Sequence, residues 1–268
     1  AGLSPGGVSA MEIGFGMGPR INAAGRLEHA MIAYDLLSSG ADDDVRGYAD
    51  RLHTLNKARQ QLTREAQALV LDQLDRESDL PLIFAGHTDF SPGIVGLVAG
   101  RLVEQFYRPA VVLEQGEHES RASCRSIPEF HIMRALDQCA DLLVRHGGHA
   151  MAAGFTVPNK NIPELRERLL GLAASSLHDE TLAPVIDVDI ELESHQIRDD
   201  LLPHLEILEP TGHANPKPIF LSRGLKVIEG RTVGADSSHL KLKLARQGQE
   251  PVDAIGFRLG EWNNNLPE

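Results

Sequence analysis

Tyr48, Leu52, Leu55, Leu62, Ala66 and Leu69 follow one another at steps of three, four or seven residues, with mixed charge between them. That spacing puts the apolar side chains on one stripe of a helix. Asp42, Asp43 and Asp44 precede it and offer an N-cap and favourable charge at a helix start. The pattern predicts one long helix to about Arg76, a strut between two domains. It divides the chain into residues 1–40, a connector over 41–79, and everything after.

Residues 1–40 are rich in Gly and Ala, and Ala30–Leu37 reads as a short helix. Residues 80–177 alternate strands and helices. Leu82–Ala85, Pro109–Leu113, Ser120–Ile127 and Ala152–Val157 read as strands. Ser91 and Pro92 start a helix to Phe106 whose Gly93, Gly96 and Gly100 allow close packing on a sheet. Phe130–Val144 reads as a helix, and Ile162, Leu165, Leu169 and Leu172 stripe another. This is a compact α/β domain. Residues 183–268 change character. Ile186, Val188, Ile190 and Leu192 alternate with acids, and Leu240, Leu242 and Leu244 alternate with Lys241 and Lys243. Ile219–Leu221, Leu225–Ile228 and Val252–Phe257 are further strands. Short strands between Gly, Pro and Asn predict a small all-β barrel.

Charge limits the partners. The formal net charge is −12, which argues against broad electrostatic attraction to nucleic acid. Any such contact must use local clusters of Arg and Lys. Cys124 and Cys139 are the only cysteines, without metal-ligand spacing, which points to a reducing, cytoplasmic setting. No apolar run is long enough to cross a membrane. The chain does not begin with Met and ends on Asn263–Glu268 as if interrupted, so it is expected to be a fragment of a longer protein.

Three segments carry chemistry. GGHAMAAG (Gly147–Gly154) has small residues throughout, and Gly147, Gly148 and His149 could form a nest of backbone N–H groups for an anion. It could equally be a tight loop packed on a neighbouring strand. GPRINAAGR (Gly18–Arg26) brings Arg20 and Arg26, donors matched to phosphate oxygens, although either could instead pair with Glu12 or Glu28. In Ser123–Cys124–Arg125–Ser126, Ser123 and Arg125 share one strand face with Arg121. They would either grip one phosphate or lie solvated on an edge strand.

The metal and nucleophile patterns are missing. Twelve histidines show no HExxH or Cys/His ligand spacing, and His146 and His149 lie in a glycine-rich stretch. Asp187, Asp189, Glu191 and Glu193 share a strand face that could collect a cation but reads better as a solvated acidic face. There is no GxSxG elbow and no Walker A loop. No catalytic residue and no metal ligand is assigned within the chain.

GPRINAAGRL (Gly18–Leu27), SPGIVGLVAGRLVEQFYRPAVVL (Ser91–Leu113), SCRSIPEF (Ser123–Phe130) and GGHAMAAGF (Gly147–Phe155) together resemble the bacterial RecJ family of single-strand-specific DNA exonucleases, DHH phosphoesterases. LEPTGHANPKPIF (Leu208–Phe220), HLKLKL (His239–Leu244) and DAIGF (Asp253–Phe257) resemble the same family's OB-fold module. The resemblance implies that 1–40 is the tail of a DHH domain and 41–79 the connector helix. It implies that 80–177 is an α/β DHHA1 domain and 183–268 an incomplete OB fold. It implies Mn2+ or Mg2+ held by Asp and His of DHH motifs absent from this chain, none being bound by the chain itself. The implied reaction is 5′–3′ hydrolysis of single-stranded DNA in repair and recombination, with a two-metal site activating water.

By motif match, Arg20, Ser123, Arg125 and His149 are the expected contacts to phosphate and the terminal nucleotide. Arg26, Gly147 and Gly148 belong to the same walls, and Lys241 and Lys243 could follow the backbone on the OB module. Thr211–Gly212 departs from the family's frequent Phe-Gly, which leaves Phe220, Phe257 and Trp262 as the aromatics for base stacking. Single-stranded DNA is the implied partner, without a membrane, and helicases or single-strand-binding proteins are further implied partners. Two alternatives stand beside this reading. One is a DHHA1 phosphodiesterase for short oligonucleotides or cyclic dinucleotides, which lacks the connector and OB module. The other is a non-catalytic single-strand-binding module.

Overall fold

The computed structural model describes the chain except residues 1–5, 7, 41–43, 75–79, 179–181, 247, 249 and 267–268. The expected N-cap at Asp42 and Asp43 and the helix end near Arg76 lie outside the described residues. Two compact units result, Ala1–Pro184 and Val185–Glu268.

In the first unit a π-helical turn, Glu12–Met17, runs into α1 (Gly18–Leu27), followed by α2 (Met31–Ser38) and the 30-residue α3 (Val45–Leu74). Asp44 caps α3, its Oδ1 accepting from the Gly47 N–H at 2.9 Å. The apolar stripe of α3 is used twice. Leu52 and Leu55 pack with Ala23 and Ala24 of α1 and Ala33 of α2. Further along, Ala66 and Val70 join the core that covers one face of the sheet.

That sheet has β1 (Ile83–His87), β2 (Ala110–Glu114), β3 (Glu119–Arg125), β4 (Arg145–Gly148) and β5 (Ala152–Pro158), in the order β1-β2-β3-β5-β4. β1 and β2 are parallel, joined through α4 (Pro92–Phe106), and the other pairs are antiparallel. Alternation then decides each face. Val111, Leu113, Ala122, Cys124, Ala153, Phe155 and Val157 point into the core shared with α5 (Ile132–Asp137) and α6 (Ile162–Leu177). The opposite face carries Ala110 and Val112, buried beneath α4 with Ile94, Val95, Val98 and Leu102. Contacts of α4 fall on β2 and β3.

Three expectations need correcting. The helix expected over Phe130–Val144 stops at Asp137, and a 3-10 turn, Ala140–Leu142, follows. Its apolar residues have helical spacing, yet the Val144 N–H bonds the Thr156 carbonyl at 2.9 Å. Sheet pairing thus ends the helix. GGHA is not an open loop, because Arg145–Gly148 is the edge strand β4. Of the three α4 glycines, only Gly96 presses on the sheet: a Cβ on Gly93 would meet the Arg26 carbonyl oxygen of α1 at 2.0 Å, and one on Gly100 would meet nothing within 4 Å.

In the second unit β6 (Ile190–Glu191) pairs in parallel with β7 (Phe220–Leu221), with the short α7 (Leu202–Glu206) between them in sequence. β8 (Lys226–Val233), β9 (His239–Ala245) and β10 (Val252–Gly256) form an antiparallel meander. The strand expected from Ile186 to Leu192 shrinks to two residues, and Val185, Ile186 and Val188 are exposed. Among the described residues the two sheets do not join into a closed barrel. Leu240 is the one buried hydrophobic residue of this unit among those described. No helix of the described residues is long and apolar enough to cross a membrane.

Candidate nucleic-acid interface

α4 covers the β2–β3 side of its sheet face, and the chain's small residues line up beside it. Ser123 of β3 stands opposite Gly154 of β5, and Gly154 stands opposite Gly147 of β4. The two glycines expose main chain where any other residue would place a side chain. A groove of about 320 Å³ runs here, lined by Arg121, Ala122, Arg145, His146, Gly147, Gly154, Phe155 and Thr156.

Ser123 and Arg125 meet at the α4 edge of this strip. Arg125 Nη1 donates to Ser123 Oγ at 3.1 Å and to the Cys124 carbonyl at 2.8 Å. Both side chains are half-buried. A Cβ at Gly96 would stand 2.9 Å from Ser123 Oγ and 3.2 Å from Arg125 Nη2, so glycine lets α4 lie directly over the pair. The shared strand face expected for Arg121, Ser123 and Arg125 is present, and α4 makes part of it a crevice instead of a solvated edge. Arg121, Arg125 and Arg145 form no ion pair with any described residue.

The glycine motif works differently from an anion nest. The His149 N–H is committed to the Ala152 carbonyl at 2.8 Å. Gly148 takes φ +148, and a Cβ there would stand 2.4 Å from the Ala152 carbonyl oxygen, so this position is restricted to glycine. The motif is therefore a tight β4–β5 hairpin that keeps one sheet face bare, with the His149 side chain exposed at its tip. His146 turns the other way and bonds Asp137 Oδ1 at 3.0 Å.

GPRINAAGR is helical, so its N–H groups are not presented as a loop. Arg20 and Arg26 lie six residues apart, about 9 Å along the axis, and face different neighbours. Arg20 bonds the Gly16 carbonyl and His53 Nδ1, in a pocket with Met17, Ile21, Leu36 and Leu52. Arg26 bonds the Gly93 carbonyl at 3.1 Å, one turn of α4 from Gly96. The two arginines do not converge on one anion, and neither pairs with Glu12 or Glu28, which bond Ser9 and Arg51 instead. Arg59 of α3 has its pKa lowered first by burial and then by Arg26 and Arg101. Positive charge therefore gathers where α1, α3 and α4 meet.

In the second unit Lys241 pairs with Asp253 at 3.4 Å, and Lys243 shares its face with Glu229, Arg231 and Asp253. The expected lysine track is a mixed-charge face. His239 packs edge-on against Phe257, ring centroids 5.4 Å apart, and Phe257 and Trp262 are exposed.

The carboxylates do not make a metal centre. Asp189 Oδ2 accepts from the Ile219 N–H at 2.8 Å, Glu191 pairs with Arg223 at 3.3 Å, and Glu193 pairs with Arg246. Among the described residues no three His, Cys, Asp or Glu side chains group to hold a metal. Mn2+ or Mg2+ does not fit these residues. Sequence reasoning missed Arg145 and Thr156. Only pairing brings them beside Arg121, and the signal available was their position just before and just after the same motif, GGHAMAAGF.

The DHHA1 domain model matches residues 79–175 and the RecJ OB domain model residues 188–268. The single-stranded-DNA-specific exonuclease RecJ of Bacillus subtilis is 34% identical over 257 residues, covering 95% of this chain and 33% of that protein. The RecJ exonuclease of Dickeya dadantii is 34% identical over 93% of this chain and 45% of its own length. The crystal structure of RecJ with Mg2+ from Thermus thermophilus superposes with a TM-score of 0.75 at 30% identity, over 93% of this chain and 40% of that one. The chain thus spans a third to under a half of these relatives. The chain thus carries a DHHA1 domain followed by a RecJ OB domain, and over more than nine-tenths of its length it is similar to RecJ exonucleases.

Proposed function

We propose that this chain is the strand-holding part of a single-stranded-DNA-specific 5′–3′ exonuclease acting in DNA repair and recombination. The carrying observation is the crevice under α4: Ser123 and Arg125, with no carboxylate partner, open onto the bare strip of Gly154 and Gly147. A phosphate approaching there meets a guanidinium, a hydroxyl and accessible main chain. Arg26 extends positive charge along α4, and His149, exposed at the hairpin tip, is the residue assigned in this reading to the terminal nucleotide. Arg20 acts separately, from its pocket on α1. Lys241 and Lys243 have a weaker case, since the acids around them already offset their charge.

In this reading residues 1–40 are the tail of a DHH domain, 41–79 the connector, 80–177 the DHHA1 domain and 183–268 the OB module. Manganese or magnesium is held by residues of the longer enzyme outside this chain. A cytoplasmic setting and helicase or single-strand-binding-protein partners belong to the same reading.

The local clustering of arginines also meets the objection from net charge. Attraction to a polyanion depends on the field at the contact, which the Debye length limits to about 10 Å at moderate salt.

The test is direct. The chain is expected to bind 5′-phosphorylated single strands weakly, with affinity falling as salt rises, and to release no nucleotides with manganese. Arg125→Ala is expected to weaken that binding by about tenfold. Unchanged affinity removes Arg125 from the site, and manganese-dependent release of nucleotides by the chain overturns the division of labour.

A further inference from the structure

The groove continues beyond Ser123 and Arg125. Two residues back along β3, Arg121 stands opposite Thr156 of β5, which stands opposite Arg145 of β4. Arg145 Nε donates to Thr156 Oγ1 at 3.2 Å. Thr156 is buried, whereas both arginines are exposed at the rim of the groove. Their strands are two spacings apart, roughly 10 Å. Each guanidinium can therefore lean over Thr156 from its own side and meet one anion between them. The row lies about 7 Å from the Ser123 row, two residues of strand rise, a step of the order of one nucleotide in an extended strand.

Two acids lie on this sheet face beside the row, Glu119 two residues before Arg121 on β3 and Glu114 on β2. Glu114 of β2 is the cross-strand neighbour of Arg121, yet it forms no ion pair with it, and its Oε2 is buried without a partner. An Arg121–Glu114 pair is the competing use of this arginine.

We propose that Arg121 and Arg145, flanking Thr156, form a second phosphate subsite that takes the phosphodiester next to the one held at Ser123 and Arg125. The subsite rests on the strand-holding reading above and extends it from one phosphate to two. Paired guanidiniums suit a phosphodiester because they supply parallel N–H donors with permanent charge. The bare glycine strip lets the strand cross between the rows.

The experiment measures how 5′-phosphorylated thymidine mono-, di- and trinucleotides displace a labelled oligothymidylate from the chain. R121Q/R145Q is expected to leave mononucleotide affinity unchanged and to weaken the di- and trinucleotide by about tenfold. The salt slope for the oligothymidylate should fall by about 0.7, one phosphate contact on a single strand. E114Q is expected to leave binding unchanged or tighten it. Unchanged di- and trinucleotide affinity in R121Q/R145Q overturns the subsite. So does an E114Q variant that weakens dinucleotide binding as much, since Arg121 then serves Glu114. A silent S123A/R125Q beside an active R121Q/R145Q removes the first site and leaves the second standing. If the unmodified chain binds no strand at low salt, both fall. Should the double variant fail to fold, R121K and R145K are scored singly by the same readout.

Discussion

Arg125 and Ser123 are bonded to each other along one strand, Nη1 to Oγ at 3.1 Å, directly beneath the only α4 glycine that touches the sheet. The pair is thus held in place before any ligand arrives, and a preorganised guanidinium loses less freedom on binding an anion.

That arrangement depends on Gly96. Gly96→Ala puts a methyl group 2.9 Å from Ser123 Oγ, so helix or pair must shift. The expected cost is about 1–3 kcal/mol of stability, with strand binding weakened as in Arg125→Ala. A variant with unchanged urea midpoint and unchanged binding would show that the crevice is not close-packed.

The β4–β5 hairpin separates two neighbouring glycines. Gly148→Ala combines positive φ with a 2.4 Å approach to the Ala152 oxygen and is expected to destabilise by about 2 kcal/mol or more. A Cβ on Gly147 meets nothing within 4 Å, so Gly147→Ala should fold normally and lower strand affinity by covering the bare strip. Thermal melts and binding isotherms on both variants check the contrast.

Cys124 is buried on the core face of β3, opposite in direction to its neighbours Ser123 and Arg125. Burial pushes its thiol from an ordinary 9.0 up to about 12, against a smaller lowering by Arg125. Above the ordinary value the unfolded thiol ionises while the folded one stays protonated. The contribution to stability is therefore complete below pH 9.0 and is lost as pH rises towards about 12. Native chain at about pH 8 should leave Cys124 unmodified by a thiol reagent, with reaction appearing only on unfolding. Labelling at the rate of a free thiol would contradict the burial.

Asp44 caps the start of α3. Asp44→Ala removes the acceptor for the Gly47 N–H and is expected to cost about 1 kcal/mol. The loss should appear as earlier exchange of amides in the first turn of α3 than in the turn around Leu52.

The sequence by itself determined where apolar faces lie, because periodicity reports burial. It marked α3, α4 and α6, the alternating β9, and the shared face of Arg121, Ser123 and Arg125. The motifs also carried the family resemblance, and the glycines at 96 and 148 sit where close approach excludes a side chain. Tertiary structure alone decided which residues became neighbours. The Val144 bond to Thr156 ended a helix whose local pattern would have run on, and pairing drew Gly147 and Gly148 into an edge strand with His149 in the hairpin turn. Register placed Arg145 across Thr156 from Arg121, a relation between residues 24 positions apart in sequence. Helix geometry sent Arg20 and Arg26 to different neighbours, and the Asp253 partner of Lys241 came from the next strand. Local spacing fixes the direction of a side chain relative to its own element. Only the packing of elements fixes what stands opposite, and a phosphate site is made of what stands opposite.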